Sequence, residues 1–122
     1  MGSFSDYWEN EILDHLFGKG AYSPPTIYVA LSSANPGESG SGLSEPGGNG
    51  YARVATSAGD WSAADGGLLD NADAIEFGTA AGDWGTMTHF ALFDAATGGN
   101  MLAYGALNQS KTVNGGDTVR FA

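Results

Sequence analysis

Only one stretch of this chain carries a helical period, and it ends before the chain's one pair of adjacent prolines. Trp8, Ile12 and Leu16 recur at i, i+4 and i+8, and Leu13 and Phe17 widen that stripe. Glu9, Asn10, Glu11, Asp14 and His15 fall on the opposite side. Ser3 to Asp6 offers N-cap candidates, Asp6 and Glu9 give an acidic first turn, and Gly18 and Gly20 supply a stop. The spacing predicts an amphipathic helix over 5–17 that must dock on something. Ser23-Pro24-Pro25 then breaks the helix and leads into extended chain. With no further helical period, the rest must be built from strands.

Strand signals follow at intervals, divided by glycine-rich turns. Thr26-Ile27-Tyr28-Val29-Ala30-Leu31 is β-branched, aromatic and apolar on both faces, which predicts a central strand. Residues 51–56 alternate, and 86–94 and 101–107 read as a hairpin turned by Thr97-Gly98-Gly99-Asn100. Residues 67–71 and 73–77 are weaker strand candidates, and 118–122 begins a last strand that reads as cut short at the end of the sequence. The long irregular stretch at 32–50, rich in Gly, Ser and Pro, reads as a surface loop or a functional one. Ala58-Gly59-Asp60-Trp61 recurs as Ala81-Gly82-Asp83-Trp84. Each copy reads as a turn in which Asp bonds its own backbone and Trp plugs the end of the domain.

Together these elements predict one mainly β domain over 1–122. The expected architecture is an antiparallel β-sandwich or partly open barrel with an N-terminal amphipathic helix. The expected core is Ile27, Val29, Leu31, Val54, Phe77, Phe90, Leu92, Leu102 and Leu107, with Trp8, Ile12 and Leu16 covering one open side.

Charge narrows the partners. Fourteen acidic residues against four basic ones give a net charge of −10. Affinity for nucleic acid rests on Lys and Arg neutralising phosphates, so nucleic-acid binding is excluded, and an anionic membrane is no better a partner. The chain has no cysteine, which removes disulfides, thiolate metal sites and cysteine nucleophiles. The N-terminus has neither the basic region nor the uninterrupted apolar run of a signal peptide, and no stretch is long enough to span a bilayer.

No residue pattern calls for catalysis. His15 and His89 are the only histidines and lack a metal-binding spacing. They read as a surface histidine and a sheet histidine bonded to a backbone carbonyl. Asp60, Asp65, Asp70, Asp73 and Glu76 crowd a short span and make calcium the one ion the turns could hold, although no EF-hand pattern is present. No nucleophile elbow and no phosphate-cradling loop occurs. The reading is therefore no enzyme, no catalytic, cofactor or metal residues, and no cofactor. Tyr22, Tyr51, Trp61, Trp84 and Tyr104 suit stacking on sugar rings, or equally the core of a small β domain.

Two stretches carry a resemblance. Phe4-Ser5-Asp6-Tyr7-Trp8-Glu9-Asn10-Glu11-Ile12-Leu13-Asp14-His15-Leu16-Phe17-Gly18, continued by Tyr22-Ser23-Pro24-Pro25-Thr26-Ile27-Tyr28-Val29-Ala30-Leu31-Ser32, is one. Trp84-Gly85-Thr86-Met87-Thr88-His89-Phe90-Ala91-Leu92-Phe93-Asp94, with Gly98-Gly99-Asn100-Met101-Leu102-Ala103-Tyr104-Gly105, is the other. Both resemble a family of small virion structural proteins of tailed bacteriophages, often labelled tail-fibre proteins. The resemblance implies a non-catalytic virion component, in head decoration or the tail, assembled in the host cytoplasm. It implies other virion proteins as partners and carries over no catalytic residue. A homo-oligomer such as a trimer is expected, because the chain is small and the helix carries more bulky apolar residues than one sheet needs. A glycan-binding module that contacts the host surface is the alternative, and a small hydrolase is the third class.

Overall fold

The computed structural model describes residues 3–66 and 69–121. The chain is mainly antiparallel β with one helix. In order, the elements are β1 (Ser3–Phe4), α1 (Asp6–Leu16), β2 (Tyr28–Ser32), β3 (Val54–Ala55), a short 3-10 turn at Ala58–Asp60, β4 (Ile75–Glu76), β5 (Gly85–Phe93), β6 (Met101–Val113) and β7 (Arg120–Phe121). Five strands form one sheet in the order β1-β6-β5-β2-β3, and β4 and β7 form a separate two-stranded ribbon.

Local chemistry accounts for the helix and its limits. Ser5 caps α1 by accepting from Trp8 N–H at 3.2 Å. The Ser5 hydroxyl also donates to the Met101 carbonyl, and Ser5 N–H bonds the Leu102 carbonyl at 2.8 Å, so the helix start is welded to β6. At the other end Gly18 takes φ +73, and Lys19 N–H closes onto the Asp14 carbonyl at 2.7 Å.

Register sorts the side chains into two faces. Val29 stands opposite Leu92 and Val54, and Leu92 opposite Ala103, which in turn pairs with Phe4. These residues share one face with Leu31 and Phe90. The ribbon lies against this face: Ile75, Phe77, Trp84, Met87 and Val113 join Val29 and Leu31 in the main core. The opposite face carries Ala30, Ala91, Phe93 and Met101, with Leu43 of the long loop packed on them.

The central placement of β2 holds, since it lies between β5 and β3. The strand expected over 51–56 shrinks to Val54–Ala55, because Tyr51 and Arg53 are held by side-chain bonds to the long loop. Strand β6 runs on to Val113, past its expected end, because 111–113 re-pair with Gly85, Thr86 and Met87. Between the two paired stretches, 107–110 stand against Thr88 alone, a large bulge. Among the described residues strand β1, which no sequence pattern marked, covers the outer edge of β6 only at Ala103 and Tyr104. The candidate strands 73–77 and 118–122 reduce to β4 and β7, Gly67 and Leu68 of the 67–71 candidate lie outside the described residues, and so does Ala122.

Of the expected core, Val29, Leu31, Phe77 and Leu102 are buried, while Ile27, Val54, Phe90, Leu92 and Leu107 are half-buried. The expected cover by the helix fails. Trp8 and Ile12 are half-buried, but Leu16 is 71% and Phe17 75% exposed, and Leu13 is 53% exposed. Helix α1 is fixed at its first turn to β6, so its C-terminal half projects past the sheet.

Leu31, fully buried at the centre of the main core, sets the stability test. Leu31→Ala is expected to cost about 2–5 kcal/mol in urea unfolding, whereas Leu16→Ala is expected to stay within about 0.5 kcal/mol of the parent.

Candidate functional site

The ribbon is too short to cover the sheet face it packs on. Among the described residues the face between Phe121 and the outer strands stays open, forming an apolar groove of about 1250 Å3. Phe90, Leu92, Ala103 and Leu107 form its floor. Phe4 and Trp8, with ring centroids 4.9 Å apart, wall one side, and Trp61, Ile75 and Phe121 wall the other. Phe121 is held edge-on to Phe90 at 6.2 Å, which ties the far wall to the floor. Leu69, 55% exposed, stands at the lip with Asp70 and Asn71. A concave apolar surface of this size, with a few polar groups at its rim, is the commonest form of a binding site.

A buried ionic cluster holds the neighbouring segments in place. Arg53 grips the Glu45 carboxylate with both arms of its guanidinium, Nη2 to Oε1 at 2.8 Å and Nε to Oε2 at 3.0 Å. Its Nη1 donates to the Ala95 carbonyl at 2.8 Å and the Gly98 carbonyl at 2.9 Å. The guanidinium lies 3.7 Å from the Phe93 ring centroid. The Tyr51 hydroxyl donates to Glu45 Oε2 at 2.6 Å and accepts from Leu31 N–H at 3.1 Å. Burial opposes ionisation of Glu45, but the hydrogen bonds from Arg53 and Tyr51 and the arginine charge hold its pKa below the ordinary value. Burial, and then the bond to Glu45, push the Tyr51 hydroxyl well above its ordinary value.

The long loop at 32–50 is accordingly folded onto the sheet. Ser32 Oγ donates to the Ala34 carbonyl at 2.7 Å and accepts from Ser44 N–H at 3.0 Å. Gly42 N–H bonds the Pro36 carbonyl at 2.9 Å, and a Cβ at Gly42 would lie 2.2 Å from the Asn35 carbonyl oxygen, so only glycine fits there.

The five aromatics proposed for sugar stacking are divided. Trp84 is buried and donates Nε1–H to the Asn49 carbonyl at 2.9 Å, and Tyr51 belongs to the ionic cluster. Trp61, whose Nε1–H bonds Thr56 Oγ1 at 2.9 Å, lines the groove, whereas Tyr104, opposite Ala91, packs on the other face of the sheet with Ala30, Phe93 and Met101. Beneath the helix, Trp8 Nε1 is turned toward the Tyr22 hydroxyl without closing a hydrogen bond to it. The two Asp-Trp turns use their carboxylates differently. Asp60 accepts from Ser57 N–H at 2.8 Å, as expected, but Asp83 accepts from Gly115 N–H at 2.9 Å and so ties the β6–β7 turn.

His15 Nδ1 accepts from Tyr22 N–H at 3.3 Å, and His89 Nδ1 bonds the Thr88 hydroxyl at 2.8 Å instead of a backbone carbonyl. Among the described residues, the set of carboxylates gathered within 4.8 Å is Asp6, Glu9 and Glu38, not the expected Asp60–Glu76 span. Loss of water, then the charges of Glu38 and Asp6, raise the Glu9 pKa. Asp6 and Glu9 were visible as an acidic first turn, but Glu38 arrives from the loop, and no local pattern announces it.

A family model described as podophage GP4 fiber I protein gp80 matches residues 3–122. The chain belongs to that family. A comparison with curated proteins found no match. Membership in a phage fibre family makes this chain a virion structural protein, associated with other virion components. Among the described residues of this fibre-family chain no helix is long and apolar enough to cross a membrane.

Glu45 gives a pH test with a defined sign. Its folded pKa is lowered, so its contribution to stability is complete above the ordinary carboxylate range and is lost as pH falls through the folded value. In urea unfolding near neutral pH, Glu45→Gln is expected to cost about 3–5 kcal/mol by leaving Arg53 buried without its counter-charge. The gap between variant and parent should then close as the medium is acidified below the ordinary carboxylate range.

Proposed function

We propose that this chain is a non-catalytic building block of a tail fibre, joined to other virion proteins and to copies of itself through apolar surfaces. The open groove carries the reading, because a chain of this size leaves a large part of its own sheet face uncovered. A surface of that kind is matched by a neighbouring protein in an assembled particle. The fibre family supports the tail over head decoration as its place in the virion. Assembly in the host cytoplasm accords with a chain that has no cysteine.

The lining of the groove supports the non-catalytic reading. Neither a histidine nor a lysine lines it among the described residues, and Ser62 at its rim donates its hydroxyl to the Asp70 backbone carbonyl at 3.0 Å, not to a base. The glycan-binding alternative draws in the groove on Trp61, since Trp84 and Tyr51 are occupied within the fold, Tyr104 packs on the other sheet face and Tyr22 lies half-buried near Trp8.

Purified phage particles test the proposal. Mass spectrometry should find the chain in the particle, and immunogold electron microscopy should place the label on tail fibres. Label on the capsid would transfer the role to head decoration, and absence from purified particles would overturn a virion role altogether.

A further inference from the structure

We propose that the exposed end of α1 on one copy seats in the open groove of the next copy, so that copies join head to tail. The inference deepens the fibre reading and rests on it for the biological setting, but its physical basis is separate. The molecule carries both halves of an apolar contact at different places on its surface. One half is convex: Leu13, Leu16 and Phe17 project from the last turns of the helix at 53%, 71% and 75% exposure. The other half is the concave groove floored by Phe90, Leu92 and Leu107.

The two cannot meet within one chain. Trp8, in the first turn, already forms a wall of the groove, and α1 is anchored there through Ser5 to β6. The remainder of the helix is rigid and leads Phe17 away by about 1.5 Å per residue, roughly 13 Å from Trp8. A knob that cannot fold back into its own groove can enter a neighbour's.

Charge agrees with this pairing. The chain has four cations. Arg53 is consumed by Glu45, and Lys19 sits at the helix end beside Phe17. The groove lip carries Asp70. Opposite charges flank the contact in both directions, Lys19 on the knob with Asp70 at the lip, and Asp14 beside Leu13 with Arg120 beside Phe121 of the groove wall, which lowers the repulsion where these acidic copies approach.

Area then decides the form of the assembly. The three knob residues offer on the order of 350 Å2 of apolar surface, so one contact buries roughly 700 Å2 in total, short of the ~1,200–2,000 Å2 of a stable pair. The contact is heterologous, with different surfaces meeting, so every copy both gives a knob and receives one. Closing the assembly, reciprocally between two copies or around a larger ring, doubles the area buried per copy, and the expected species is a closed assembly in which every knob is seated.

Complementary mixing tests the geometry. The knob variant is Leu16→Asp with Phe17→Asp, and the groove variant is Leu69→Asp with Ala63→Glu. All four positions are exposed, so circular dichroism and thermal midpoints should match the parent. In sedimentation velocity at high concentration the parent should form one closed species, a dimer or larger, and each variant alone should be monomeric. An equimolar mixture regains a single contact, too small to hold a stable pair, and should show at most weak one-to-one association, well short of the parent's assembly. A monomeric parent, a knob or groove variant that assembles like the parent, or a mixture that assembles as far as the parent would each overturn the contact. None of these results alters where immunogold places the protein, so the failure of this contact and the failure of the fibre role are distinguishable. If the parent stays monomeric while the groove variant loses binding to another purified fibre component, the groove's occupant is that component and not a second copy.

Discussion

A single guanidinium organises one end of this molecule. Arg53 joins the long loop through Glu45, the hairpin turn through the Ala95 and Gly98 carbonyls, and β5 through the Phe93 ring. Through Glu45 it also orients Tyr51, whose hydroxyl accepts the Leu31 N–H of β2. In a chain with only four cations, one is withdrawn from solvent to do this. The desolvation cost of such a pair is large, and it is offset because nearly every polar atom in the cluster is bonded. The loop at 32–50 thus gains an ordered path without any helix or strand of its own.

The other organising constraint is the mismatch between a five-stranded sheet and a two-stranded ribbon. The ribbon completes the core through Ile75 and Phe121, which join Phe77, Trp84, and Met87 and Val113 of the large sheet, and it runs out before it reaches β1. In a free-standing domain an uncovered face of this kind would be costly. A virion protein spends its working life among neighbours, so completing the face can be left to them. The exposed helix end belongs to the same economy: residues that stabilise nothing in the single chain remain apolar.

How much of this was legible beforehand depended on whether the cause was local. The helix, its cap region and its glycine stop follow from spacing within a few residues, and so do β2, β5 and the hairpin that joins β5 to β6. Resemblance in two segments was enough to point to the phage family. What failed was non-local. Amphipathicity showed that Leu13, Leu16 and Phe17 share a side, but not that the anchoring of Ser5 to β6 would swing that side into solvent. Glu45 looked like one more loop carboxylate, and Arg53 like a polar residue on an alternating strand. Their pairing depends on a return path of the loop that no periodicity encodes. The groove likewise has no sequence signature, because its floor residues read as ordinary core.

Strand β6 carries a consequence for how such a protein survives its own production. Among the described residues its outer edge is paired with β1 at Ala103 and Tyr104 alone, so beyond that point the described strands leave the row of backbone donors and acceptors uncovered. Unprotected edges of this kind recruit one another into amyloid-like stacks when many copies are made at once. Here the open part bulges at 107–110 and then continues through Lys111, with Asn108, Gln109 and Ser110 offering no apolar grip. The broken register and the polar run deny a second chain a straight template. An identical edge can therefore be crowded against itself without polymerising through the backbone, and side-chain surfaces alone are left to choose the partner.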